Sequence, residues 1–525
     1  MSVLKKLAGE TAVYGVSSIL GRVLHFIILT PYLTRVFSKG EYGQYTALYA
    51  WAALLLVLFT YRMETTFFRF GRKKEHTNQV FSTASLSLLG TTLLYCLVLL
   101  GLSNSIAHWL DFEQHPEYIR YFVLIIAFDA LAAIPFARLR LENRPYLFAA
   151  FKILGIILNI FFIIFLLEVL PWFHPYYDDE KRLGYVFLAN LLASASVFAV
   201  LLPAYRHLKL RFDVELWKRM LRYAGPLIIA AVAGVLNQFV GIPLLRQLGG
   251  GTTAANEELV GIYGGNAKLA VLINLFTQAF NYAAEPFFFR NADKGDARAM
   301  YARIGQAFAL VGALAFLGIM LYIDIFKFLI DEGLHEGLGI VPILLLAYIF
   351  LGLFYNFSIW YKLEDRTELG GYIALGGSLI TILINLILIP RLGYYAPAIA
   401  ALACYGFMAY ASYATGQKYY AIPYPVRRML LYFLIAGSGF FLADVGRSIY
   451  GTQVGTTLVF NTFVFLGCVY VFYRVERTLI LQIVTGKKVD LDLTTTPENN
   501  AVSAEEDERG ESENQESSQE DQSPE

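Results

Sequence analysis

The chain has 525 residues, of which 57% are hydrophobic and only 16% are charged. Soluble domains carry nearer 25% charged residues, so this composition excludes an ordinary array of soluble domains. Apolar runs of about 20 residues recur from end to end, which is the length a helix needs to cross ~30 Å of hydrocarbon. Because every backbone amide must be satisfied inside lipid, these runs predict helices, and they lack the short alternating segments of a β-barrel.

The apolar runs predict an all-α polytopic membrane protein of about fourteen transmembrane helices. The seventh predicted span is long and is interrupted by Pro226 and Pro243. The predicted spans, in chain order, are 11–34, 42–64, 80–103, 118–138, 146–170, 183–203, 218–247, 258–282, 304–323, 338–361, 369–389, 395–418, 427–445 and 454–474.

Basic residues alternate between the predicted loops. If the N-terminus is cytoplasmic, 28 Lys and Arg residues fall on the cytoplasmic side and nine on the other side. Such a bias is the usual mark of cytoplasmic loops, and a missed span would reverse the alternation partway along the chain. We therefore expect an even number of spans with both termini cytoplasmic. A nucleic-acid partner is not expected, because the basic residues occupy the positions that orientation requires.

The formal net charge of zero hides an acidic tail. From Glu498 to Glu525 there are eleven acidic residues and one basic residue, Arg509. The tail has no aromatic residues and is rich in Ser, Gln and Asn, so it cannot bury a core and residues 485–525 are predicted to be disordered. Such a tail either solvates the protein or serves regulation or partner binding.

Two pairs of motifs recur at nearly one offset, which predicts a duplicated six-helix unit. Leu141-Glu142-Asn143-Arg144 corresponds to Leu363-Glu364-Asp365-Arg366, and Tyr42-Gly43 corresponds to Tyr263-Gly264. Because six is even, both halves keep one orientation, as in secondary transporters with parallel repeats. The predicted domains are an N-terminal lobe (1–205), a C-terminal lobe (206–420), two additional transmembrane helices (421–484) and the tail. Chance matching of short motifs is the alternative.

Four stretches in the same order resemble polysaccharide flippases of the Wzx type, in the superfamily of multidrug, oligosaccharidyl-lipid and polysaccharide exporters. The resemblance covers about residues 5–475 and leaves out the tail. Each motif has weak specificity alone. The stretches are GVSSILGRVLHFIILTPYLTRVFSKGEYGQYTAL, METTFFRF, YGGNAKLAVLINLFTQAFNYAAEPFFF and WYKLEDRTELGGYIALGGSLITILINLILIPRLGYYAPAIAAL.

The resemblance implies two six-helix lobes around a central cavity, plus two extra helices. It further implies that the chain is not an enzyme and moves an undecaprenyl-pyrophosphate-linked oligosaccharide from the cytoplasmic to the periplasmic leaflet of a bacterial inner membrane. Such cargo serves the assembly of O-antigen, capsule or a related glycan, so a polymerase or ligase of that glycan is a candidate partner beside the membrane lipids.

Arg22 is the leading candidate for binding an anionic substrate. It lies midway through the first span, where an exposed charge costs about 2.5–3.5 kcal/mol, so it should face a cavity or a partner. Ser18, Arg22 and His25 share one face of the helix. A guanidinium suits pyrophosphate because its planar fork donates two parallel hydrogen bonds, and the resemblance implies first-helix arginines in the anion cavity. The alternative is an ion pair with Asp129.

Polar residues of the eighth span form a second candidate set. Lys268 offers a compact cation for phosphate or snorkels to the interface. Asn274, Gln278, Asn281 and Glu285 are spaced four, three and four residues apart, which places them on one helix face. Amides there, and the isolated Asn159 and Asn385 of two other spans, either bind sugar hydroxyls or bridge helices.

Three carboxylates are candidates for ion coupling: Asp129, Glu64 and Glu285. Burial favours the neutral form of a carboxylate, which allows it to exchange a proton. No sodium-site motif is legible, so the coupling ion, H⁺ or Na⁺, stays open, and no cofactor is predicted. The histidines His108, His115 and His174 lack ligand-like spacing, so no metal site is predicted.

Three other functions compete with the flippase. A lipid II-type flippase has a similar anionic isoprenoid cargo. A multidrug exporter of cations would need a carboxylate-lined cavity, whereas Arg22 and Lys268 lead the charges at membrane depth here. A membrane glycosyltransferase or ligase would usually need a large extramembrane loop, and no predicted loop exceeds roughly twenty residues. No Walker loop, HExxH or nucleophile elbow is present, so no catalytic residue is predicted.

Overall fold

A computed structural model describes residues 20, 22–72, 76–173, 177–292, 295–364, 366–450 and 454–477. Within these residues the chain is helical and contains no β-strand. The helices are labelled α1 (Thr30–Val36), α2 (Lys39–Thr60), α3 (Thr77–Gly101), α4 (Pro116–Leu141), α5 (Pro145–Ile164), α6 (Arg182–Leu201), α7 (Val214–Phe239), α8 (Thr253–Arg290), α9 (Ala297–Leu321), α10 (Val341–Phe357), α11 (Thr367–Leu392), α12 (Tyr395–Tyr419), α13 (Val426–Tyr450) and α14 (Val454–Val475). Shorter helical segments, such as His25–Leu29 before α1, connect them.

Thirteen of the described helical stretches are long and apolar enough to cross a membrane. The predicted all-α polytopic fold class is therefore confirmed. The first of the fourteen predicted spans, 11–34, is not among the thirteen, since it is described only at residue 20 and from residue 22 onward. The predicted acidic tail lies outside the described residues.

Two of the predicted spans are divided by the backbone. The second span breaks at Tyr61 and Arg62, whose φ angles of 31° and 57° place both in the left-handed region. A new helix, Met63–Phe70, starts there. The seventh span becomes α7 and a separate short helix, Gly241–Leu248. Its Pro226 stays inside α7, while Pro243 lies in the first turns of the short helix, where its missing N–H is best tolerated.

The chain divides into two compact units, Met1–Phe465 and Leu466–Glu525. In the first unit, α3 and α4 pack together, as do α4 and α6, and α10 packs on both α8 and α12. The helix α13 packs on α9. The described part of the second unit continues α14 to its end at Val475. The division into two six-helix lobes stays a prediction.

The backbones of α2 and α8 approach each other closely. Gly43 faces the backbone of Glu257 and Gly261, and Thr46 lies farther along against Gly264, so the two helices run parallel. A Cβ atom at Gly43 would overlap the carbonyl oxygen of Glu257. Only glycine permits this approach, as in other small-residue contacts between membrane helices. We call the end of the fold where α2 and α8 begin the Lys39 end, and the opposite end the Arg290 end.

A buried ionic network closes the Lys39 end. The guanidinium of Arg246 pairs with Glu257, donates to the backbone carbonyl of Leu110 and lies 4.3 Å from the Phe112 ring centroid. Gln44 of α2 donates to Glu257 at 2.8 Å. Both Arg246 and Glu257 are 6% exposed. The network therefore links the loop before α4 and the start of α2 to the short helix before α8 and to α8 itself.

Candidate substrate site

Arg22 contacts the polar face of α8. Its guanidinium donates to the side-chain oxygen of Gln278. The amide nitrogen of Gln278 in turn donates to Asn274, one helical turn earlier, at 3.0 Å. Among the described residues Arg22 has no carboxylate partner, so the alternative ion pair with Asp129 is not formed. The structure thus joins the predicted cation of the first span to two predicted amides of the eighth.

A second link between the same segments involves His25, about one turn after Arg22. The ammonium group of Lys268 acts electrostatically on the imidazole of His25. Within the part of the chain that the structure describes, Lys268 has no ion pair with a carboxylate. Lys268 lies near the middle of α8, and Gln278 lies ten residues further towards the Arg290 end. Ser18, predicted on the same face as Arg22 and His25, lies outside the described residues.

The carboxylates of the N-terminal half surround a different cation. Asp129 of α4 lies near the hydroxyl of Ser194 of α6 and interacts electrostatically with Lys152 of α5. Lys152 also interacts electrostatically with Glu64 and Arg22. Both Asp129 and Lys152 retain accessible surface.

An aromatic and polar patch next to Asp129 has no counterpart in the sequence predictions. The charge of Asp129 acts on Tyr49 of α2, whose hydroxyl accepts a hydrogen bond from Asn190. The Tyr49 ring lies 4.6 Å from that of Tyr45 and 5.1 Å from that of Phe122, measured between centroids. Sequence patterning could not single out these residues among 35 tyrosines and 41 phenylalanines. Their only distinction is spatial, because they come from three helices.

The remaining predicted residues lie apart from Arg22 and Lys268 or make packing contacts. Glu285 forms an ion pair with Lys362 at 2.8 Å near the Arg290 end. Asn385 is fully buried and donates to the Thr381 carbonyl of its own helix, beside Gly241. This contact favours helix packing over sugar binding at Asn385. Neither Asn159 nor Asn281 makes a hydrogen bond to another described residue, and both are half-buried.

The candidate site combines cations, amides and two carboxylates on membrane-spanning helices. Arg22, Lys152 and Lys268 supply positive charge, and Asp129 and Glu64 supply negative charge beside Lys152. Charges on such helices are costly unless they meet partners, water or substrate. Three cations against two carboxylates suit an anionic group better than a cationic one. Among the residues described, no group of three or more His, Cys, Asp or Glu side chains could hold a metal ion.

Comparison with protein families gives one match over more than half of the chain. A family model described as polysaccharide biosynthesis protein matches residues 7–292. This stretch includes every element of the candidate site, from Arg22 to Gln278. None of the curated proteins matches the chain.

Solved structures with the same fold are found among transporters. The lipid II flippase MurJ, in an inward closed conformation, covers 89% of this chain and 100% of its own length, with 12% identity and a TM-score of 0.67. The MATE transporter VcmN of Vibrio cholerae, in a mutant form, covers 80% and 98%, with 14% identity and a TM-score of 0.56. An outward-facing multidrug resistance MATE family transporter of the MOP superfamily covers 78% and 95%, with 13% identity and a TM-score of 0.56.

Proposed function

We propose that this chain, which belongs to the polysaccharide biosynthesis protein family, is a secondary transporter that moves an undecaprenyl-pyrophosphate-linked oligosaccharide across the membrane. The transfer runs from the cytoplasmic to the periplasmic leaflet of a bacterial inner membrane and serves surface polysaccharide assembly. Both termini are cytoplasmic in this proposal, which makes the Lys39 end periplasmic and the basic Arg290 end cytoplasmic.

One observation carries the proposal. Arg22 and Lys268 lie on facing membrane-spanning segments, and neither has a carboxylate partner among the described residues. A pyrophosphate needs such cations, and a guanidinium can donate to it through two N–H groups. The neighbouring amides of Asn274 and Gln278 can bind sugar hydroxyls once Arg22 turns from Gln278 to the phosphate. The two halves would rock about this site, as alternating access requires.

The Arg22→Ala variant is expected to lower transport about ten- to a hundredfold, the loss of one or two hydrogen bonds to a charged group. The test uses a deletion strain that accumulates the lipid-linked precursor and lacks the surface polymer. Restored polymer is measured at equal membrane levels of wild type and variant. Arg35→Ala is the matched control, because Arg35 donates to the backbone carbonyl of Phe328 rather than to the amides of α8.

Two outcomes would count against the proposal. Full restoration of the surface polymer by Arg22→Ala would show that Arg22 does not bind the substrate. The deletion strain could instead keep its surface glycans and change its sensitivity to small cationic compounds. That result would indicate an exporter of cations rather than a flippase. Accumulated lipid II with arrested wall synthesis would instead indicate a lipid II-type flippase, which has the same anionic chemistry.

Asp129 is the proposed coupling or gating carboxylate of this cycle. Asp129 and Glu64 both interact electrostatically with Lys152, and Asp129 also acts on Tyr49. A change in the charge of Asp129 would therefore change the electrostatic interactions of these neighbours. We expect Asp129→Asn to fold and to lose the dependence of transport on the membrane ion gradient. Transport into vesicles with and without an uncoupler measures this dependence. Full transport with an unchanged uncoupler response would show that Asp129 has no such role, and Glu336→Gln, with its exposed carboxylate paired to Lys39, is the control.

A further inference from the structure

A pocket at the Lys39 end has no part in the proposed transport site. Its volume is about 360 Å³, and it lies between the ends of α9 and α13 and the start of α10. Three charged side chains line it, namely Asp324, Lys327 and Arg447. Apolar side chains, including Met320 and Phe440, form much of the rest of its wall. The pocket therefore combines an ionic centre with an apolar wall.

The ionic centre carries one net positive charge. Asp324 accepts from Lys327 at 2.8 Å and from Arg447 at 2.9 Å. Burial alone would raise the pKa of Asp324, but the hydrogen bond from Lys327 and the charge of Arg447 together hold that pKa below its ordinary value. The carboxylate is thus ionised at neutral pH and balances only one of the two cations. Arg447 uses one guanidinium nitrogen on Asp324, and its side chain is 37% exposed, so further donors remain accessible.

The position of the centre matches the level of lipid headgroups. Arg447 lies in the last turn of α13, and Asp324 lies in the short helix Ile323–Phe326 that follows α9. The neighbouring Ile325 and Phe328 are 51% and 56% exposed. Charged and exposed apolar side chains alternate in this way where a segment lies at a membrane interface. Basic side chains at helix ends reach the same level.

An apolar groove flanks the same helix end. Its volume is about 430 Å³, and Gly318, Ile319, Tyr322 and Phe326 are among the residues that line it. Tyr322 is held there by a hydrogen bond of 3.0 Å with Thr462 of α14. The helix end therefore presents cationic donors on one side and an apolar groove on the other. A phosphodiester joined to an acyl chain needs both features side by side.

We propose that the pocket around Asp324, Lys327 and Arg447 binds the phosphate of an anionic membrane phospholipid, with an acyl chain along the neighbouring apolar surface. Arg447 and Lys327 donate to the phosphate, since charge-assisted hydrogen bonds from basic side chains to phosphate oxygens are strong. Asp324 holds the two cations in place when no lipid is bound. The site is independent of the proposed transport site and does not depend on the identity of the cargo.

The test measures lipid binding to the purified full-length chain by native mass spectrometry, with phosphatidylglycerol and phosphatidylcholine as probes. Wild type is expected to prefer phosphatidylglycerol about tenfold, because both lipids carry the same phosphodiester but the net positive centre repels the choline ammonium of phosphatidylcholine. The triple variant Asp324→Asn, Lys327→Gln, Arg447→Gln removes one net positive charge without leaving a lone carboxylate, and it is expected to bind both lipids about equally. Arg120→Gln removes the same net charge at the same end, where Arg120 contacts Ser103 and Asn104, and should keep the preference.

Three results would overturn the proposal. Wild type could show no headgroup preference, or the triple variant could keep the wild-type preference. Undecaprenyl phosphate could also displace phosphatidylglycerol from wild type but not from the triple variant, which would assign the pocket to the carrier lipid instead. Melting temperatures of the three proteins, measured in the same detergent, show whether each variant is folded before binding is compared.

Discussion

Replacing Gly43 with alanine is expected to destabilise the protein by about 1–3 kcal/mol or more, the usual cost of overpacking. The new methyl group would overlap the carbonyl oxygen of Glu257, which is backbone and cannot move aside as a side chain can. Either α2 and α8 separate along their length or the variant fails to fold. Size-exclusion profiles and melting temperatures in detergent measure the effect, and we expect a lower melting temperature with less monodisperse protein.

Gly40→Ala is the matched control, because a Cβ atom at Gly40 meets nothing within 4 Å. Both substitutions exchange glycine for alanine near the start of α2, which by itself favours the helix by about 0.5–1 kcal/mol. Gly40→Ala should therefore be neutral or stabilising. Equal melting temperatures for the two variants would show that α2 and α8 do not make this contact in the resting protein.

The same glycine shows what the sequence could reveal of the fold. Apolar runs predicted the long helices because length and composition alone decide them. The motifs around Gly43 and Gly264 were noticed as a repeat, yet their contact could not be predicted. One sequence without an alignment contains no information on which two of fourteen helices meet. The break at Tyr61 and Arg62 could not be predicted either, since left-handed backbone at non-glycine residues has no strong local signal.

The candidate site was predictable in part for a related reason. A charge within an apolar run is conspicuous, so Arg22, Lys268 and Asp129 could be found from the sequence. Their partners could not, because Gln278 lies 256 residues from Arg22. The predicted alternative paired Arg22 with Asp129, whereas Lys152 is the cation that acts on Asp129. From the sequence alone, several basic residues were equally good candidates to interact with Asp129.

The burial of Arg246 and its partners could not be predicted from the sequence. Arg246 follows an apolar run, and nothing in the sequence around it marks the side chain as buried. The structure buries it, with only 6% exposed, against Glu257 and the loop before α4. Removing one partner of a buried ion pair typically costs about 3–5 kcal/mol, because the other charge is left uncompensated. Arg246→Ala is therefore expected to lower the melting temperature strongly in detergent.

The double variant Arg246→Met, Glu257→Gln separates the cost of a lone charge from the value of the pair. It leaves no buried charge, and the amide introduced at position 257 could still meet Gln44, so most of the lost stability should return. Recovery would show that the ion pair adds little to the free energy of unfolding, and that its role is to specify how the loop before α4 and the start of α2 meet the short helix before α8 and α8 itself. A double variant as unstable as Arg246→Ala would instead show that the hydrogen bond to Leu110 and the contact with the Phe112 ring dominate.

The same double variant links this network to transport. Opening the Lys39 end must break the contacts of Arg246 with Leu110 and of Glu257 with Gln44, since these join elements from the two sides of the proposed cycle. A folded protein without the ionic pair should populate the state open at this end more often. We expect faster modification of a cysteine placed at Gln44 by a membrane-impermeant reagent in the double variant than in a Gln44→Cys protein with Arg246 and Glu257 intact. Equal rates at equal folded levels would show that the network stabilises the fold without controlling access.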